Sequence, residues 1–409
     1  IEEMALPIRV EDRTGDTPQS ARKRQRADPP HILLTTPESL ALLLSYEDSP
    51  RLFSTLRRVV VDEAHALRES KRGDQLTLAL ARLETLAPGL ETVGLSATVE
   101  DPAALAHWLR PTGARVLEAD PGPPPDIAML EAETPPPWAG QGGRHAARAV
   151  MEEIRKSLTT LVFHNTRAQC ELFFQALWQV NDEALPIGIH HGSLDREARK
   201  RVEAAMAEGA LRAVVCTGSL DLGIDWGDVD LVIQVGAPKN VKRLVQRIGR
   251  ANHRYNAPSR ALIVPANRFE VLECRAALDA VLEKDLDGPG PRVIPLDVLC
   301  QHILCLACAG PLETDGLYDE VRRAGPYADL TREDFDACVE FCATGGYALR
   351  AYDKWKRLIE GPPGTFRLRD PRAARNIRMN LGTIVAAETM GVKLAGRRGG
   401  GPKLGEVEE

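Results

Sequence analysis

Short apolar runs rich in β-branched residues alternate along the chain with longer stretches in which apolar residues recur at helical spacing. The alternation occurs twice, once on each side of a proline-dense connector. Because strands that alternate with helices form parallel sheets covered by those helices, the pattern predicts two βαβ regions with buried strands. The predicted strands are 32–35, 58–62 and 92–96 in the first region, and 161–163, 186–189, 213–216, 231–235 and 261–264 in the second.

The connector predicts a domain junction between about residues 116 and 143, because proline lacks the amide that a sheet interior requires. After residue 285 the pattern changes to helices at 296–309 and 331–344, with Thr331 as the N-cap of the second. Residues 345–349 then predict a turn into a short strand. This combination favours a winged-helix module.

The predicted fold class is therefore α/β, with two parallel-sheet domains followed by the winged-helix-like module. We expect the first domain at 1–117, the second at 118–285 and the module at 286–364, with 365–409 as the start of a further region.

Composition excludes several classes of protein. Lys and Arg total 52 against 58 for Asp and Glu, a net charge of −6, and 44% of residues are hydrophobic, which excludes wholesale disorder. The sequence has no apolar run near the roughly 18 residues of a membrane-spanning helix, and its first residues lack the pattern of a signal segment. Eight cysteines at irregular spacing do not resemble a secreted disulfide framework, so we expect a cytoplasmic protein.

Basic residues are concentrated despite the negative net charge. Residues 231–269 contain no acidic residue, and further arginines cluster at 22–26 and 367–378. Such concentrations suit a phosphate-facing nucleic-acid surface. A solvated basic face explains the short cluster at 22–26 better, whereas the acid-free segment favours the nucleic-acid surface. The basic residues of 231–269 are Lys239, Lys242, Arg243, Arg247, Arg250, Arg254, Arg260 and Arg268.

Two adjacent carboxylates, Asp62 and Glu63, end the predicted strand 58–62. The carboxyl edge of a parallel sheet is where a ligand crevice forms. There, one carboxylate can hold Mg²⁺ through water while the other polarises the attacking water in phosphoryl transfer. The alternative is that these acids only cap the following helix.

Other polar motifs follow strands or lie on a predicted helix. Helix N-terminal amides suit a phosphate, and arginines three apart share a helix face from which guanidinium groups stabilise charge on a transferring phosphate. Each motif alone has a structural explanation, but their order favours nucleotide chemistry. The motifs are Thr36-Pro37-Glu38, Ser96 with Thr98, Thr217 with Gly223 and Asp225, and Gln246 with Arg247 and Arg250.

Together these motifs make the chain resemble a superfamily 2 helicase with a DEAH-type box. More narrowly, it resembles the large-helicase-related group, and within it the bacterial ligase-associated DNA damage response helicases. The segments that carry the narrower resemblance are 70–74, 161–167, 190–194, 223–230, 247–254 and 264–273.

The resemblance implies two RecA-like domains, the first truncated at its N-terminus, with ATP and Mg²⁺ as ligands. It implies that Asp62 coordinates Mg²⁺ through water, Glu63 orients the hydrolytic water, and His65, Ser96 and Thr98 couple hydrolysis to domain closure. Gly223 and Asp225 would approach the nucleotide. Gln246 and Arg250 would complete the γ-phosphate side, with Arg250 as the arginine-finger candidate and Arg247 as a candidate substitute for the second arginine that His253 replaces. The residues implied to grip the nucleic-acid backbone are Thr36, Pro37, Glu38, Asn165, Thr166, Arg167, His191, Gly192 and Thr217.

The sequence departs from the superfamily pattern at two points. His253, with Arg254 after it, stands where a second arginine is usual, and we interpret this as a trait of the subgroup. The sequence also has no Gly-x-x-x-x-Gly-Lys-Thr/Ser phosphate loop. Because that loop precedes the corresponding starting point in the family, we expect truncation, and we expect these 409 residues alone to bind single strands weakly and to lack ATPase activity.

The expected function is thus that of an ATP-dependent DNA helicase or translocase on single-stranded DNA, 3′ to 5′, in DNA repair. Partners would be single-stranded or partly duplex DNA and repair proteins such as a ligase or nuclease, and the protein would be associated with the nucleoid. Two alternatives stay open: a helicase for RNA or RNA:DNA hybrids, and an ATPase-silent nucleic-acid-binding fragment.

Overall fold

A computed structural model describes residues 6–96, 99, 101–118, 123–140, 142–221, 229–251, 258–285, 294–382, 389–393 and 403–408. The chain divides into unit 1, formed by Ile1–Val116 and Gly290–Glu409, and unit 2, formed by Leu117–Pro289. None of the described helices has the length and apolar character needed to cross a bilayer.

The elements follow in chain order. The first part of unit 1 contains β1 Val10–Arg13, α1 Gln19–Ala27, β2 Ile32–Thr35, α2 Pro37–Leu44, α3 Ser49–Phe53, β3 Arg58–Val61, α4 Ala64–Arg68, α5 Lys71–Leu86, β4 Glu91–Gly94 and α6 Pro102–Leu109. Unit 2 contains β5 Asp126–Met129, α7 Ala147–Lys156, β6 Thr160–His164, α8 Arg167–Gln179, β7 Ile187–His190, α9 Arg196–Ala207, β8 Ala213–Cys216, β9 Leu231–Val235, α10 Val241–Ile248, β10 Arg260–Val264 and α11 Glu270–Glu283. The second part of unit 1 contains α12 Leu296–Ala307, β11 Leu312–Glu313, α13 Thr314–Val321, α14 Arg332–Thr344, α15 Gly346–Leu349, β12 Leu358–Glu360, β13 Thr365–Leu368, α16 Ala373–Met379, β14 Thr389–Lys393 and β15 Lys403–Glu408. Short 3₁₀ turns lie at Arg144–Ala146, Gly218–Leu220, Gly325–Tyr327 and Asp353–Trp355.

Unit 2 is built on a six-stranded sheet in which all neighbouring strands are parallel, in the order β5-β10-β9-β6-β8-β7. This confirms the parallel sheet predicted for the second region. Every residue of β6, β8 and β9 is buried, as expected for central strands covered on both faces. β5, which lies in the proline-dense connector, takes an edge position, where missing amide donors are tolerated.

Helices cover both faces of this sheet because alternate residues of a strand point to opposite sides. Leu161 and Phe163 pack in one apolar cluster with residues of α10 and α11, whereas Val162 packs in another with residues of α7 and α8. All three side chains are fully buried. The carboxyl ends of the strands therefore form a single edge that is held rigidly from both sides.

The strands of the first region are parallel, as predicted, and form two pairs, β1 with β2 and β3 with β4. The prediction that they are buried is wrong for one face. Val61 packs in the core and Val59 lies against it, whereas Val60, which points to the opposite face, is 55% exposed. In the described part of the chain, helices cover only one side of these strands.

The helix α5 joins both parts of unit 1 in one core. Leu78 on α5, Leu299 on α12 and Phe335 on α14 are fully buried in a single apolar cluster. Arg82 on α5 also forms an ion pair of 3.1 Å with the buried carboxylate of Glu320 on α13. Residues before 116 and the C-terminal helices thus form one packed body.

The C-terminal module contains a three-stranded antiparallel sheet in the order β11-β13-β12 beside α12, α13 and α14. The predicted module boundary at residue 364 lies inside this sheet, because β13 begins at Thr365 and is its central strand. The short strand predicted at 345–349 is instead the helical turn α15, which two glycines with positive φ precede and begin. Thr331 caps α14 as predicted, accepting a hydrogen bond from the amide of Asp334 at 3.1 Å.

Gly73 lies at the corner between α4 and α5, where there is no room for a side chain. A Cβ atom at this position would lie 2.0 Å from the carbonyl oxygen of Leu67, a distance that only glycine avoids. The segment 70–74 is therefore fixed by backbone packing against α4, the helix that follows the predicted acid pair.

Candidate nucleotide and nucleic-acid site

The ends of β3 and β4 lie side by side and carry the predicted acid pair. Asp62 is exposed, and its Oδ1 accepts a hydrogen bond from the amide of Glu63 at 2.9 Å. Glu63 has φ 49° and ψ 42°, a left-handed conformation that turns the chain from β3 into α4. This conformation is uncommon for a residue with a side chain, so the surroundings must hold it in place.

His65 connects the acid pair to the end of the neighbouring strand. Its Nδ1 lies 2.9 Å from the Ser96 hydroxyl, and its Nε2 lies 3.4 Å from a carboxylate oxygen of Glu63. Because a carboxylate only accepts, a hydrogen bond from His65 to Glu63 requires a proton on Nε2, and the tautomer of the ring sets the direction of the bond between Nδ1 and Ser96. The structure thus brings together Glu63, His65 and Ser96, three of the candidate site residues named from the sequence.

A second group of predicted residues lies where α2 follows β2. Thr36 caps this helix by accepting a hydrogen bond from the amide of Ser39 at 3.3 Å. Glu38 is bound by Arg72 at 2.6 Å, which joins the helix start to the segment 70–74. Burial acts to raise the pKa of the Glu38 carboxyl, but it is outweighed by the hydrogen bond and charge of Arg72 together with hydrogen bonds from the backbone and from Thr36, so that pKa is lowered.

Predicted backbone-gripping residues of unit 2 follow three strands whose carboxyl ends share one edge. Thr166 caps α8 after β6 and accepts a hydrogen bond from the amide of Gln169 at 3.3 Å. Asn165 donates to the carbonyl of Ala237, beyond β9, at 2.6 Å. The remaining members are Arg167 after β6, His191 and Gly192 after β7, and Thr217 after β8.

Two of these residues share a carboxylate. Glu171 on α8 lies 2.9 Å from Arg167 and 3.3 Å from Nε2 of the buried His191. The next residue, Gly192, is exposed, and no atom lies within 4 Å of where its Cβ would be. Packing therefore does not require glycine here, which is consistent with a ligand backbone passing close by.

Arg247 does not occupy the catalytic position that its spacing suggested. Its side chain is 2% exposed, and its Nε donates to Asp221 Oδ1 at 2.8 Å. Its guanidinium also donates to Gln234 and lies 4.7 Å from the ring of Phe163. Because its donors are directed to Asp221 and Gln234, both buried in unit 2, the observed role of Arg247 is to position α10.

Asp221 is a site residue that sequence reasoning missed. It ends the 3₁₀ turn after β8, its side chain is 4% exposed, and Arg243 binds it at 2.8 Å from the exposed side of α10. Two arginines four residues apart on one helix face are a signal for a shared acid, but the sequence offers many candidates for that acid. Asp221 fixes the helix of the predicted γ-phosphate residues to the turn that follows Thr217.

Comparison with known proteins places this geometry in a family. A DEAD/DEAH box helicase model matches residues 2–105, a helicase conserved C-terminal domain matches 145–255, and the winged helix domain of the large helicase-related protein matches 279–409. The chain is 35% identical over 417 residues to the ATP-dependent helicase Lhr-Core protein 2 of Thermococcus barophilus. The chain belongs to the large helicase-related (Lhr) family of superfamily 2.

The Lhr relatives are longer than this chain. The alignment with the T. barophilus protein covers 98% of the chain and 47% of that protein. An Lhr helicase/probable uracil glycosylase of Mycolicibacterium smegmatis is 33% identical over 450 residues, which cover 99% of the chain and 29% of that protein. The chain therefore spans less than half the length of these relatives.

Solved structures confirm the predicted fold of two RecA-like domains and a winged helix. The Mycobacterium smegmatis helicase Lhr bound to ssDNA and AMP-PNP matches with a TM-score of 0.81 and 33% identity, over 94% of this chain and 50% of that one. The DUF1998 helicase MrfA bound to DNA and AMPPNP matches with a TM-score of 0.71 over 90% of this chain and 50% of that one, at 20% identity, which shows the fold alone.

The remaining site residues of this Lhr chain are placed only in part. Gln246 is half-buried on α10, and Arg250 follows the end of that helix and is also half-buried. Thr98, Gly223, Asp225, His253 and Arg254 lie outside the described residues.

Proposed function

We propose that the complete protein uses ATP hydrolysis to move along single-stranded DNA, as a 3′-to-5′ helicase in DNA repair. The observation that carries the proposal is the chain of polar contacts from Glu63 through His65 to Ser96, beside the exposed carboxylate of Asp62. This chain offers a fixed acceptor for an attacking water and links that acceptor to a second strand end.

In this proposal Glu63 accepts a hydrogen bond from the hydrolytic water, and His65 holds the Glu63 carboxylate in position. Ser96 follows β4 and contacts the His65 ring, so a movement of the end of β4 would move that ring. A displacement of Ser96 would therefore change the orientation of Glu63, which is how hydrolysis becomes coupled to domain movement.

Asp62 suits Mg²⁺, which keeps several of its waters and binds through one or two carboxylates. The Asp62 carboxylate is exposed at the strand end. Among the described residues, no cluster of three or more His, Cys, Asp or Glu side chains is arranged to replace those waters. Bound there, Mg²⁺ would neutralise phosphate charge, and Asp62 would orient it through water.

Unit 2 would hold the strand by its phosphates along the shared strand edge, with Thr166, Arg167 and Gly192 nearest the backbone. Phosphate contacts carry no sequence information, which suits a protein that moves over any sequence. Support for DNA comes from the M. smegmatis structure, whose description names ssDNA. The direction, the repair role and partners such as a ligase or nuclease rest on the resemblance alone.

The proposal is tested with Glu63→Gln in the complete encoded protein. We expect ATP turnover on single-stranded DNA to fall by roughly 100-fold or more, because the carboxylate that orients the water is lost, with strand binding retained. Glu69→Gln, which changes an exposed carboxylate at the end of the same helix, should leave turnover unchanged. Retained turnover in Glu63→Gln would refute the assignment.

Paired unwinding assays separate DNA from the RNA alternative. Duplexes of DNA, RNA and RNA:DNA hybrid with a 3′ or a 5′ single-stranded tail are compared under the same conditions. The proposal expects DNA duplexes with a 3′ tail to be unwound fastest. A clear preference for hybrid or RNA duplexes would favour the alternative function.

A further inference from the structure

Unit 2 presents three exposed side chains that form a compact group, here called the aromatic cluster: Trp138, Arg268 and Phe269. The Arg268 guanidinium carbon lies 4.5 Å from the centre of the Trp138 ring, and the Phe269 ring meets that ring edge-on at 6.0 Å. Trp138 remains 66% exposed and Phe269 remains 68% exposed. Two large aromatic rings so exposed are costly to leave in water and commonly mark a binding surface.

The backbone holds this cluster in place before any ligand arrives. The amide of Arg268 donates to the carbonyl of Pro137 at 3.0 Å, and its Nε donates to the carbonyl of Pro136 at 3.1 Å. Asn267 then accepts hydrogen bonds from the amides that begin α11, including that of Phe269 at 2.9 Å. The proline-dense connector, whose backbone is stiff, is thereby fixed to the loop after β10.

The cluster lies at the same sheet edge as the predicted backbone-gripping residues. It follows the carboxyl end of β10, which neighbours β9, which in turn neighbours β6. Hydrogen bonds connect these ends: Glu270 accepts from the amide of Ala237 at 2.9 Å, and the carbonyl of Ala237 accepts from Asn165 at 2.6 Å. A single nucleic-acid strand bound at Asn165 can therefore continue along this edge of the sheet toward Trp138.

The charge that Arg268 brings to the cluster suits a polyanion. Arg268 is the last basic residue of the acid-free segment 231–269. The nearest carboxylate along the chain, Glu270, is directed at the backbone, accepting from the amides of Ala266 and Ala237 at 3.0 and 2.9 Å. An exposed guanidinium beside an open ring is the combination by which proteins bind single strands, with stacking for the base and positive charge for the phosphate.

We propose that the aromatic cluster is a stacking platform for a base of single-stranded nucleic acid, with Trp138 as the stacking ring. The inference rests on the proposed function, because it extends the strand path along the edge of unit 2. It assigns a base contact to a surface where the other predicted contacts are made to phosphates. Stacking is sequence-tolerant, because every base has a π-face.

Trp138→Ala and Trp138→Phe test the platform in the 409-residue chain, with affinity measured by fluorescence anisotropy. The probes are a labelled oligothymidylate and a strand of equal length that has abasic deoxyribose throughout. We expect Trp138→Ala to weaken oligothymidylate binding roughly tenfold without affecting the abasic strand, and Trp138→Phe to restore most of the loss. Trp178→Ala is the matched control, because Trp178 is also exposed, at 57%, and also contacts a second aromatic ring, that of Phe174. Trp178 lies in the last turn of α8, the helix that leads away from the carboxyl ends of the strands.

Each other outcome overturns the proposal. Equal affinities for Trp138→Ala and the wild-type chain would show that the surface serves a different partner, such as a protein. An equal loss on both strands would show a general effect on folding or charge and not stacking. Absence of any single-strand binding by the wild-type chain would overturn the platform. The proposed function of the complete protein is tested separately by the Glu63→Gln turnover assay, so the two failures are distinguishable.

Discussion

Asp221 receives two arginines from one helix, and the two ion pairs differ in burial. Arg247 is 2% exposed and Arg243 is 46% exposed at the side chain. Breaking a buried pair leaves an uncompensated charge, which costs about 3–5 kcal/mol, whereas an exposed pair contributes about 0–1 kcal/mol. Of the two arginines that bind Asp221, Arg247 is therefore expected to stabilise the fold, whereas Arg243 is expected to contribute little to stability.

We predict that Arg247→Met lowers the free energy of unfolding of unit 2 by about 3 kcal/mol or more, because Asp221 is then buried without its main counter-ion. Arg243→Met, the matched control, should lower it by less than about 1 kcal/mol. Urea unfolding, followed by circular dichroism, measures both. Equal effects of the two substitutions would show that burial does not distinguish these pairs.

Glu63 allows the cost of its left-handed backbone to be measured separately from its chemistry. Glu63→Gly and Glu63→Ala both remove the carboxylate, but only glycine adopts φ 49° without strain. We predict that Glu63→Gly is more stable than Glu63→Ala by about 1 kcal/mol in thermal unfolding, since the left-handed conformation costs about 1–2 kcal/mol for other residues. An Ala variant as stable as the Gly variant would mean that the turn relaxes once the side chain is removed.

At the scale of single elements, the caps that begin helices have two separable roles. Thr166 caps α8 at the strand edge of unit 2, and Thr331 caps α14 in the C-terminal module. Loss of either cap leaves helix amides unsatisfied and costs about 1 kcal/mol. Only Thr166 is also expected to lie against a nucleic-acid backbone.

Thr166→Ala and Thr331→Ala should therefore lower the free energy of unfolding by similar amounts, about 1 kcal/mol each. Only Thr166→Ala should also weaken binding of a single-stranded oligonucleotide, because its hydroxyl and the ordered helix start are both at the binding edge. Thr166→Ser should restore both properties. Weaker strand binding in Thr331→Ala as well would indicate an effect of stability alone.

The elements of unit 2 were predictable because its central strands are apolar runs between turn residues. β1 and β5 escaped prediction because each is a short edge strand of mixed polarity, Val10–Arg13 in a charged segment and Asp126–Met129 in a proline-dense one. The acid pair was predictable because it directly follows an apolar strand. The pairing of Asp221 with Arg247 was not, because it depends on how the turn Gly218–Leu220 places the acid against α10.

At the scale of the whole molecule, the sequence shows a linear order of modules but not which of them share a core. The helix α5 is buried on most of its surface, from Gly73 to Leu83, because α2 packs on one side of it and α12 and α13 on another. Its apolar pattern is consistent with either a domain core or an interface. Only the tertiary structure shows that α5 is part of the core of the first region and also of its interface with the C-terminal helices.

Each unit contains a buried histidine that must stay neutral. Burial lowers the pKa of His164 in unit 2 to about 3, assisted by the charge of Arg247. Burial likewise lowers the pKa of His302 in unit 1 to about 3, assisted by Arg82. The unfolded chain binds these protons near pH 6.5 and the folded chain does not, so the stability contribution is complete above that pH and is lost as the pH falls toward 3.

We therefore predict that stability decreases by about 1.4 kcal/mol per pH unit for each of these two histidines, His164 and His302, as the pH falls below about 6. His164→Gln should reduce the slope for unit 2 by the contribution of one proton, about 1.4 kcal/mol per pH unit. His107→Gln, which changes an exposed histidine of unit 1, should leave the slope of unit 2 unchanged. Urea unfolding at a series of pH values measures the slopes. An unchanged slope in His164→Gln would show that this ring is not the titrating group.

Because α5 and α12 share one core in unit 1, a substitution in α12 should also affect α5, which is distant in sequence. Leu299 is fully buried on α12, and Leu299→Ala should cost about 2–5 kcal/mol through lost burial and a cavity. If residues before 116 and the C-terminal module unfold together, hydrogen exchange must accelerate in α5 as much as in α12, and not in β8 of unit 2. Leu177→Ala, which removes a fully buried leucine of unit 2, should give the reverse pattern. Faster exchange confined to α12 after Leu299→Ala would mean that the module unfolds independently, and the shared core would then contribute packing without cooperativity.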